Sequence, residues 1–303
     1  MNPLGLFAVA GSVLLAPLFL GVVNRTKAAF AGRAGQPLFQ LYFDLAKAAR
    51  KGAVYSRTAT WVFRLAPLGS LAAALTALLL LPQGGFPAVL SFPGDFVALI
   101  FVLATARFLM VIASLDVGSS FEGMGASREV AFSALAEPVL LLCLAVAARE
   151  AGRGSLSGII GSVTGGDWQR TGPALVLVAA SLLAILLAEN ARIPVDDPNT
   201  HLELTMIHEV MILDHGGPDL ALLLYGAALK LWILGALLTG LLLPGRTGSP
   251  LLDGLIFLAG MLVLAVVIGV IESTIARLRL HRVPQFLVGA GAFAVMALAL
   301  IMR

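Results

Sequence analysis

Eight long apolar runs constrain this chain more than any other feature of its sequence. A helix needs about 20 mainly apolar residues to cross the roughly 30 Å hydrocarbon core of a bilayer. The 303 residues are 59% hydrophobic and only 12% charged, which excludes an ordinary soluble domain. We therefore predict an all-α, polytopic membrane protein forming a single membrane domain over residues 1–303. The predicted spans are 3–24, 61–82, 95–116, 129–149, 171–190, 218–243, 251–272 and 284–302.

Lysines and arginines are distributed unevenly between alternate loops. Eight lie in the stretch 25–64, and thirteen lie on that face of the membrane in total, against five on the opposite face. The face richer in basic residues is expected to be cytoplasmic, so both termini are predicted on the outer side. This topology already accounts for the basic residues. The net charge of +3 therefore requires no nucleic-acid partner.

The loop after the first span predicts an amphipathic helix. In QPLFQLYFDLAK the apolar and polar side chains fall on different faces at helical spacing. Such a helix suits either the membrane interface or the surface of a soluble partner, and periodicity alone favours the membrane surface.

Three charged residues lie well inside predicted spans, away from the span ends. Glu137 is about two turns into the fourth span, where an unpaired charge costs at least ~2.5 kcal/mol. Arg107 in the third span and Lys230 in the sixth are its expected buried partners, and together they predict a polar axis through the bundle. A purely structural ion pair is the alternative.

The stretch DVGSSFEGMGASRE precedes the fourth predicted span. Its three glycines permit tight turns, and Ser127, followed by Arg128, could cap the helix. Glu129 then has two interpretations: an acid placed at a helix start, or a functional carboxylate.

Residues 189–215 collect six carboxylates, three of the four histidines and one arginine. Pro194 and Pro198 interrupt any helix, whereas Thr200 with Glu203 matches a capping box and predicts a short helix through HLELTMIHEVM. One face of that helix would carry His201, Thr205 and His208. No HExxH motif or nucleophile–base pair is present, so the stretch favours proton uptake or capture of a polar ligand.

The loop before the last span carries Arg277, Arg279 and Arg282. These arginines either fix the topology or dock an acidic soluble partner. Cys143 is the only cysteine, so the chain cannot build a cysteine-ligated cluster, and we expect no metal site and no cofactor in it.

Four motifs together resemble the complex I membrane protein known as subunit 1. They are RAGQPLFQLYFDLAK, SSFEGMGASRE with its following LAEP, ENARIPVDDPNTHLELTMIHE and ESTIARLRLHRVPQFL. The residues of these motifs are most similar to those of the counterpart subunit in group 4 nickel–iron hydrogenases, of the hydrogenase-4 and formate hydrogenlyase type. The resemblance covers nearly the whole chain.

The resemblance implies a subunit of an oxidoreductase complex, without a catalytic or redox centre of its own, in the cytoplasmic membrane of a prokaryote. It would anchor a hydrophilic arm made of a nickel–iron large subunit and an iron–sulfur small subunit, beside antiporter-like and small membrane subunits. Electron transfer in the arm would be linked to proton or ion translocation.

Residue roles follow from the same resemblance. Arg192 would organise the acidic loop as its only fixed cation, and the basic residues and histidines of the loops would order the loops or dock the arm. The proton-coupling candidates are Glu129, Glu137, Glu189, Asp196, Asp197, Glu203 and Glu209, with Arg107 and Lys230. The candidates for loop order and docking are Arg128, Arg192, His201, His208, Arg277, Arg279 and Arg282.

The quinone-reducing branch of the family is the alternative, and there this subunit forms much of the quinone cavity. Its loop after the fifth span typically reads APFDLPEAEAELV, where this chain has IPVDDPNTHLELTMIHE. This loop sequence favours the hydrogenase branch. No role is assigned to Glu122 or Glu272 from the sequence.

Overall fold

The computed structural model describes residues 3–162, 165–196, 206–243 and 247–302. Ten α-helices occupy these residues: α1 (Pro3–Phe30), α2 (Gln40–Ala49), α3 (Trp61–Leu80), α4 (Asp95–Asp116), α5 (Ser120–Ala151), α6 (Leu156–Ser162), α7 (Gly165–Glu189), α8 (Gly217–Leu242), α9 (Pro250–Thr274) and α10 (Val283–Ile301). Short 3-10 turns lie at Glu209–Ile212 and Leu280–Arg282. No β-strand occurs within the described ranges, which confirms the all-α prediction.

Eight of these helices are long and apolar enough to span a membrane. They are α1, α3, α4, α5, α7, α8, α9 and α10, which matches the predicted number and order. Most predicted boundaries agree with the structure within a few residues, and the chain is a multi-pass membrane protein. The amphipathic helix after the first span is confirmed as α2.

α8 lies at the centre of the bundle. Most of its residues from Ala228 to Leu241 are buried, and it packs against α1, α2, α3, α7 and α9. Small side chains allow these close approaches: Gly235 faces Met261 and Leu264 of α9, and Gly240 faces Ile160. The outer helices instead expose many large apolar side chains, as expected where a surface meets lipid.

The fourth span begins earlier than predicted. α5 starts at Ser120 and runs without a break to Ala151, so the predicted cap at Ser127 is wrong. Of the glycines expected in turns, Gly118 has the positive φ of a turn, whereas Gly123 and Gly125 are helical. Glu129 is therefore an interior helix residue, more than two turns from the start of α5.

The chain passes between two ends of the bundle. One end holds the C-terminal ends of α1, α4, α7 and α9 and the N-terminal ends of α3, α5, α8 and α10, and we call it the charged end. α2 and the segment after α7 lie at the same end, because both connect helices that meet there.

Candidate functional site

Arg107 is the centre of a buried ionic cluster. It lies near the middle of α4, and its side chain is only 8% exposed. Its guanidinium forms ion pairs with Glu137 of α5 and with Glu189 at the end of α7, the latter at 2.5 Å. Glu129 of α5 lies 3.2 Å from Nε, within ion-pair distance but not aligned as a hydrogen bond. One arginine thus joins three carboxylates from two other helices.

Lys230 completes this Arg107 cluster from α8. Its ammonium lies 2.9 Å from Oε2 of Glu189, the same oxygen that faces the arginine. The prediction of buried partners for Glu137 is confirmed for Arg107, but Lys230 pairs with Glu189 instead. Lys230 lies on the central helix, and its nearest carboxylate is therefore the one at the end of α7, which packs against α8.

The charges in the cluster are not balanced. Glu129, Glu137 and Glu189 face two cations, Arg107 and Lys230, so the fully ionised cluster carries one excess negative charge. Water solvates charges far better than a protein interior does, so an unbalanced buried charge attracts a proton or a cation. The Glu137 side chain is 34% exposed, so the surrounding helices do not fully enclose the cluster.

A cavity of about 550 Å³ adjoins the cluster at the charged end. One wall is apolar, formed by residues such as Leu41, Ala74 and Leu224. The other wall is polar. It is formed by Arg107, Glu129, Glu189, Arg192, Asp196, His208, Glu209, His215 and Lys230, among others. The cavity thus connects most of the ionic cluster to the loop that follows α7.

A second ionic group fixes that loop to α9. Glu272 of α9 has a fully buried side chain, 3.3 Å from the guanidinium of Arg192 and 2.7 Å from the ammonium of Lys27 on α1. Four residues further along the loop, Asp196 pairs with Arg277 at 2.7 Å. Arg192 is therefore not the only fixed cation of the loop, which corrects the prediction. We call Lys27, Arg192 and Glu272 the Glu272 triad.

Backbone contacts hold the same loop in place. The amide of Leu278 donates to the carbonyl of Pro194 at 2.8 Å, and the amide of Ile207 donates to Oδ2 of Asp196 at 2.9 Å. Arg128 of α5 donates to the carbonyl of Met206 at 2.9 Å. This hydrogen bond joins the segment at Met206 to α5, and the role of Arg128 in ordering the loop stays a prediction.

The helix predicted through HLELTMIHEVM is wrong over its described part. Met206 and Ile207 are not helical, and Glu209–Ile212 form a 3-10 turn. The turn packs against α5 at Gly125, where an added Cβ would collide with Val210 and lie 2.9 Å from the carbonyl oxygen of Ile207. The described part of this segment packs on Gly125 of α5 as a 3-10 turn, instead of forming the regular helix predicted from the sequence.

His208 and Glu209 both line the cavity. Burial lowers the pKa of His208, and the ammonium of Lys230 lowers it further, whereas Glu129 and Asp196 act in the opposite direction. A lowered pKa keeps this imidazole neutral near pH 7, when it can both donate and accept a hydrogen bond.

The remaining predicted residues fall into two groups. Asp197, His201 and Glu203 lie outside the described residues, as does Thr205. Arg279 and Arg282 are exposed at the charged end, away from the cavity wall. In the part of the chain that the structure describes, no group of three or more His, Cys, Asp or Glu side chains could hold a metal ion.

Sequence reasoning missed four residues at this end. Lys27 and Glu272 form the Glu272 triad with Arg192, whereas Glu122 and His215 are buried and His215 lines the cavity. Glu272 carried a usable signal, because it is an acid at the end of a predicted apolar span. Glu122 carried none, because it precedes the predicted fourth span in a stretch rich in glycine and serine. His215 carried none, since it falls in a polar stretch where a histidine is unremarkable.

The fold and site define a polytopic helical membrane protein with an ionic cluster that reaches a cavity at one end of the bundle. The family model described as NADH dehydrogenase matches residues 4–302, and the chain belongs to that family.

Two proteins of Escherichia coli strain K12 are similar to it. Formate hydrogenlyase subunit 4 is 31% identical, over 98% of this chain and 95% of that protein. Hydrogenase-4 component C is 31% identical, over 90% of this chain and 88% of that protein. A solved chain of the membrane-bound sulfane sulfur reductase, an archaeal respiratory membrane complex, shares the fold with a TM-score of 0.79. It is 18% identical and covers 97% of this chain and 98% of its own length.

Proposed function

We propose that this chain is the membrane anchoring and coupling subunit of a multi-subunit nickel–iron hydrogenase complex, and that it links electron transfer in a hydrophilic arm to proton or ion translocation. Its similarity to two hydrogenase-type subunits over nearly full length supports the class of complex. The observation that carries the coupling role is the buried Arg107 cluster with its excess carboxylate and its adjoining cavity.

In this proposal the charged end faces the cytoplasm and both termini face outward, in the cytoplasmic membrane of a prokaryote. The preponderance of Lys and Arg at that end supports the orientation. The hydrophilic arm would dock there, against the exposed Arg279 and Arg282, with antiporter-like and small membrane subunits alongside in the bilayer. The nickel–iron centre and the iron–sulfur clusters would belong to the arm.

Coupling would operate through the charge state of the Arg107 cluster. When a proton reaches one of its three carboxylates, the excess negative charge disappears, and the hold of Arg107 and Lys230 on the remaining two changes. Because α4, α5, α7 and α8 each contribute a charge, any redistribution acts on four helices at once. That arrangement suits a subunit that passes an electrostatic signal to neighbours.

The first experiment is affinity purification of this chain from membranes in mild detergent. The proposal expects iron–sulfur proteins and nickel to copurify in fixed proportion. The complex in liposomes should then couple hydrogen production to ion movement. Glu137→Gln and Glu189→Gln should reduce coupled turnover while dye-linked hydrogenase activity remains. Asp253→Asn is the control, a buried acid of α9 whose partner Thr247 lies at the opposite end.

A second candidate is the quinone-cavity subunit of a complex I-like oxidoreductase. The observation in its favour is the cavity itself, whose size and apolar wall would accommodate a small amphipathic ring. Inhibition of the purified complex by quinone-site inhibitors, with no nickel by metal analysis, would select this candidate. A chain that purifies alone and still moves ions would contradict both.

A further inference from the structure

Three buried polar side chains at the charged end belong neither to the Arg107 cluster nor to the Glu272 triad. They are Glu122 of α5, His215 just before α8, and Asp219 in the first turn of α8. Their exposed fractions are 0%, 5% and 9%, and each carries at least one buried side-chain atom without a hydrogen-bond partner. A polar atom removed from water without a partner costs free energy, so such atoms usually mark bound water or a ligand.

His215 is the member of this group that lines the cavity. Its ring stacks on Phe63 of α3, with centroids 3.8 Å apart and planes within 1° of parallel. Neither Nδ1 nor Nε2 has a hydrogen-bond partner. Burial lowers the pKa of His215 to about 4, against the opposing effect of Asp219 and Asp214. The imidazole is therefore neutral near pH 7, with one nitrogen free to donate and the other free to accept.

Glu122 of α5 is hydrogen-bonded to the residue before His215, and Asp219 of α8 acts electrostatically on the imidazole. Oε1 of Glu122 accepts a hydrogen bond from the amide of Asp214 at 3.1 Å, whereas its Oε2 has no partner. Asp214 is exposed at the charged end, next to His215 in the chain. Asp219 accepts a hydrogen bond from Tyr55, which raises the pKa of that phenol, and its Oδ2 has no partner.

The charged groups around His215 are thus mostly acidic. Asp214 precedes it in the loop before α8, Asp219 lies in the first turn of α8 and Glu122 lies in α5, while the guanidinium of Arg64 on α3 lies over the Tyr55 ring, 4.6 Å from its centroid. Such a set attracts protons from the bulk phase and keeps them close to the surface of the bundle. Packing alone explains the stacking of His215 on Phe63, but it does not explain four unpartnered polar atoms at one place.

We propose that Asp214, Glu122, His215 and Asp219 form a hydrated proton-uptake route from the charged end into the cavity. This inference rests on the proposed coupling function. A proton taken from bulk water by Asp214 passes through bound water to one nitrogen of His215, and the other nitrogen releases its proton to water in the cavity. The imidazole ends as the other neutral tautomer, and a half-turn of its ring brings the protonated nitrogen to the cavity side for the next transfer. From the cavity the proton reaches the Arg107 cluster.

The test uses the purified complex in liposomes, with coupled turnover and proton uptake divided by the dye-linked hydrogenase activity of the same sample. His215→Phe keeps a ring on Phe63 but removes both nitrogens, and it is expected to lower proton uptake roughly tenfold or more. His215→Gln retains a donor and an acceptor and should restore part of the rate. Asp214 is exposed, and Asp214→Asn keeps the backbone amide that donates to Glu122, so this variant tests the route without disturbing the core. The fall in proton uptake that it causes should grow as pH rises.

Full proton uptake in both His215→Phe and Asp214→Asn would overturn the route. The proton uptake of Glu122→Gln would not change that conclusion. Should His215→Phe fail to assemble, Asp214→Asn decides alone. Arg107→Met distinguishes failure of this uptake route from failure of the proposed coupling function. If it abolishes coupling while Asp214→Asn leaves uptake unchanged at every pH, only this route is refuted. If Arg107→Met leaves coupling intact, the proposed function itself fails.

Discussion

Arg107 of α4 and Glu189 at the end of α7 are joined by an ion pair of 2.5 Å, although 82 residues separate them in the sequence. The ion pair holds the Glu189 carboxylate where the ammonium of Lys230 on α8 also reaches it. Three transmembrane helices are therefore joined through one carboxylate. Stability and coupling should therefore both depend on this contact.

Arg107→Met should destabilise the protein by about 3–5 kcal/mol, because it leaves three carboxylates without their common cation. Coupled turnover should fall at least as far as in the single acid variants. Thermal unfolding in detergent and proton movement in liposomes measure the two effects. Arg149→Met is the control, since Arg149 is exposed at the far end of α5. Equal behaviour of the two variants would contradict the central place given to Arg107.

Glu189 and Lys230 should be energetically coupled. Glu189→Gln, Lys230→Met and the double variant form a cycle, and contacting charged residues of this kind give interaction free energies of roughly 0.5–3 kcal/mol. Unfolding midpoints of the four proteins supply the numbers. Strict additivity of the two single effects would mean that the 2.9 Å contact contributes nothing.

Glu272→Gln should loosen the loop after α7. The carboxylate holds Lys27 and Arg192 together, and an amide in its place cannot neutralise either cation. Hydrogen–deuterium exchange should rise in residues 190–196 and at the end of α1. Asp253→Asn in the same helix should change exchange only near Thr247. Protection of residues 190–196 that matches the parent protein would refute the role of the triad.

Two glycines two residues apart in α5 should respond in opposite ways to alanine. A Cβ on Gly125 meets Val210 and Ile207, so Gly125→Ala should displace the Glu209–Ile212 turn and cost roughly 1–3 kcal/mol. A Cβ on Gly123 meets nothing within 4 Å, and Gly123→Ala should be neutral or stabilising by up to about 1 kcal/mol. Thermal unfolding compares them directly, and a smaller loss for Gly125→Ala than for Gly123→Ala would be inconsistent with this packing.

His215 should make stability depend on pH. Its pKa is about 4 in the folded protein against an ordinary value of 6.5, so the unfolded chain binds more protons between these values. The stabilising contribution is complete above pH 6.5 and is lost as pH falls towards 4. Melting temperatures of the complex measured across this interval should fall with pH, and less steeply in His215→Phe.

The sequence by itself determined the membrane architecture. Whether a segment crosses a bilayer depends on the transfer free energy of about 20 consecutive residues, which is a local property, and the eight spans follow from it. The amphipathic helix α2 is local in the same sense, since its pattern repeats within ten residues. Acids within spans, such as Glu137, could also be identified, because a charge within an apolar run is costly wherever the helix packs.

Only the tertiary structure decided which charges meet. Lys230 contacts Glu189 and not Glu137, and Arg192 contacts Glu272 of α9, 80 residues away in the sequence. These choices depend on the rotation and depth of each helix, which are set by close packing between surfaces distant in sequence. The helical start of α5 was hidden for the same reason: glycines that would suit a turn in isolation are held in a helix by the 206–212 segment packed on Gly125.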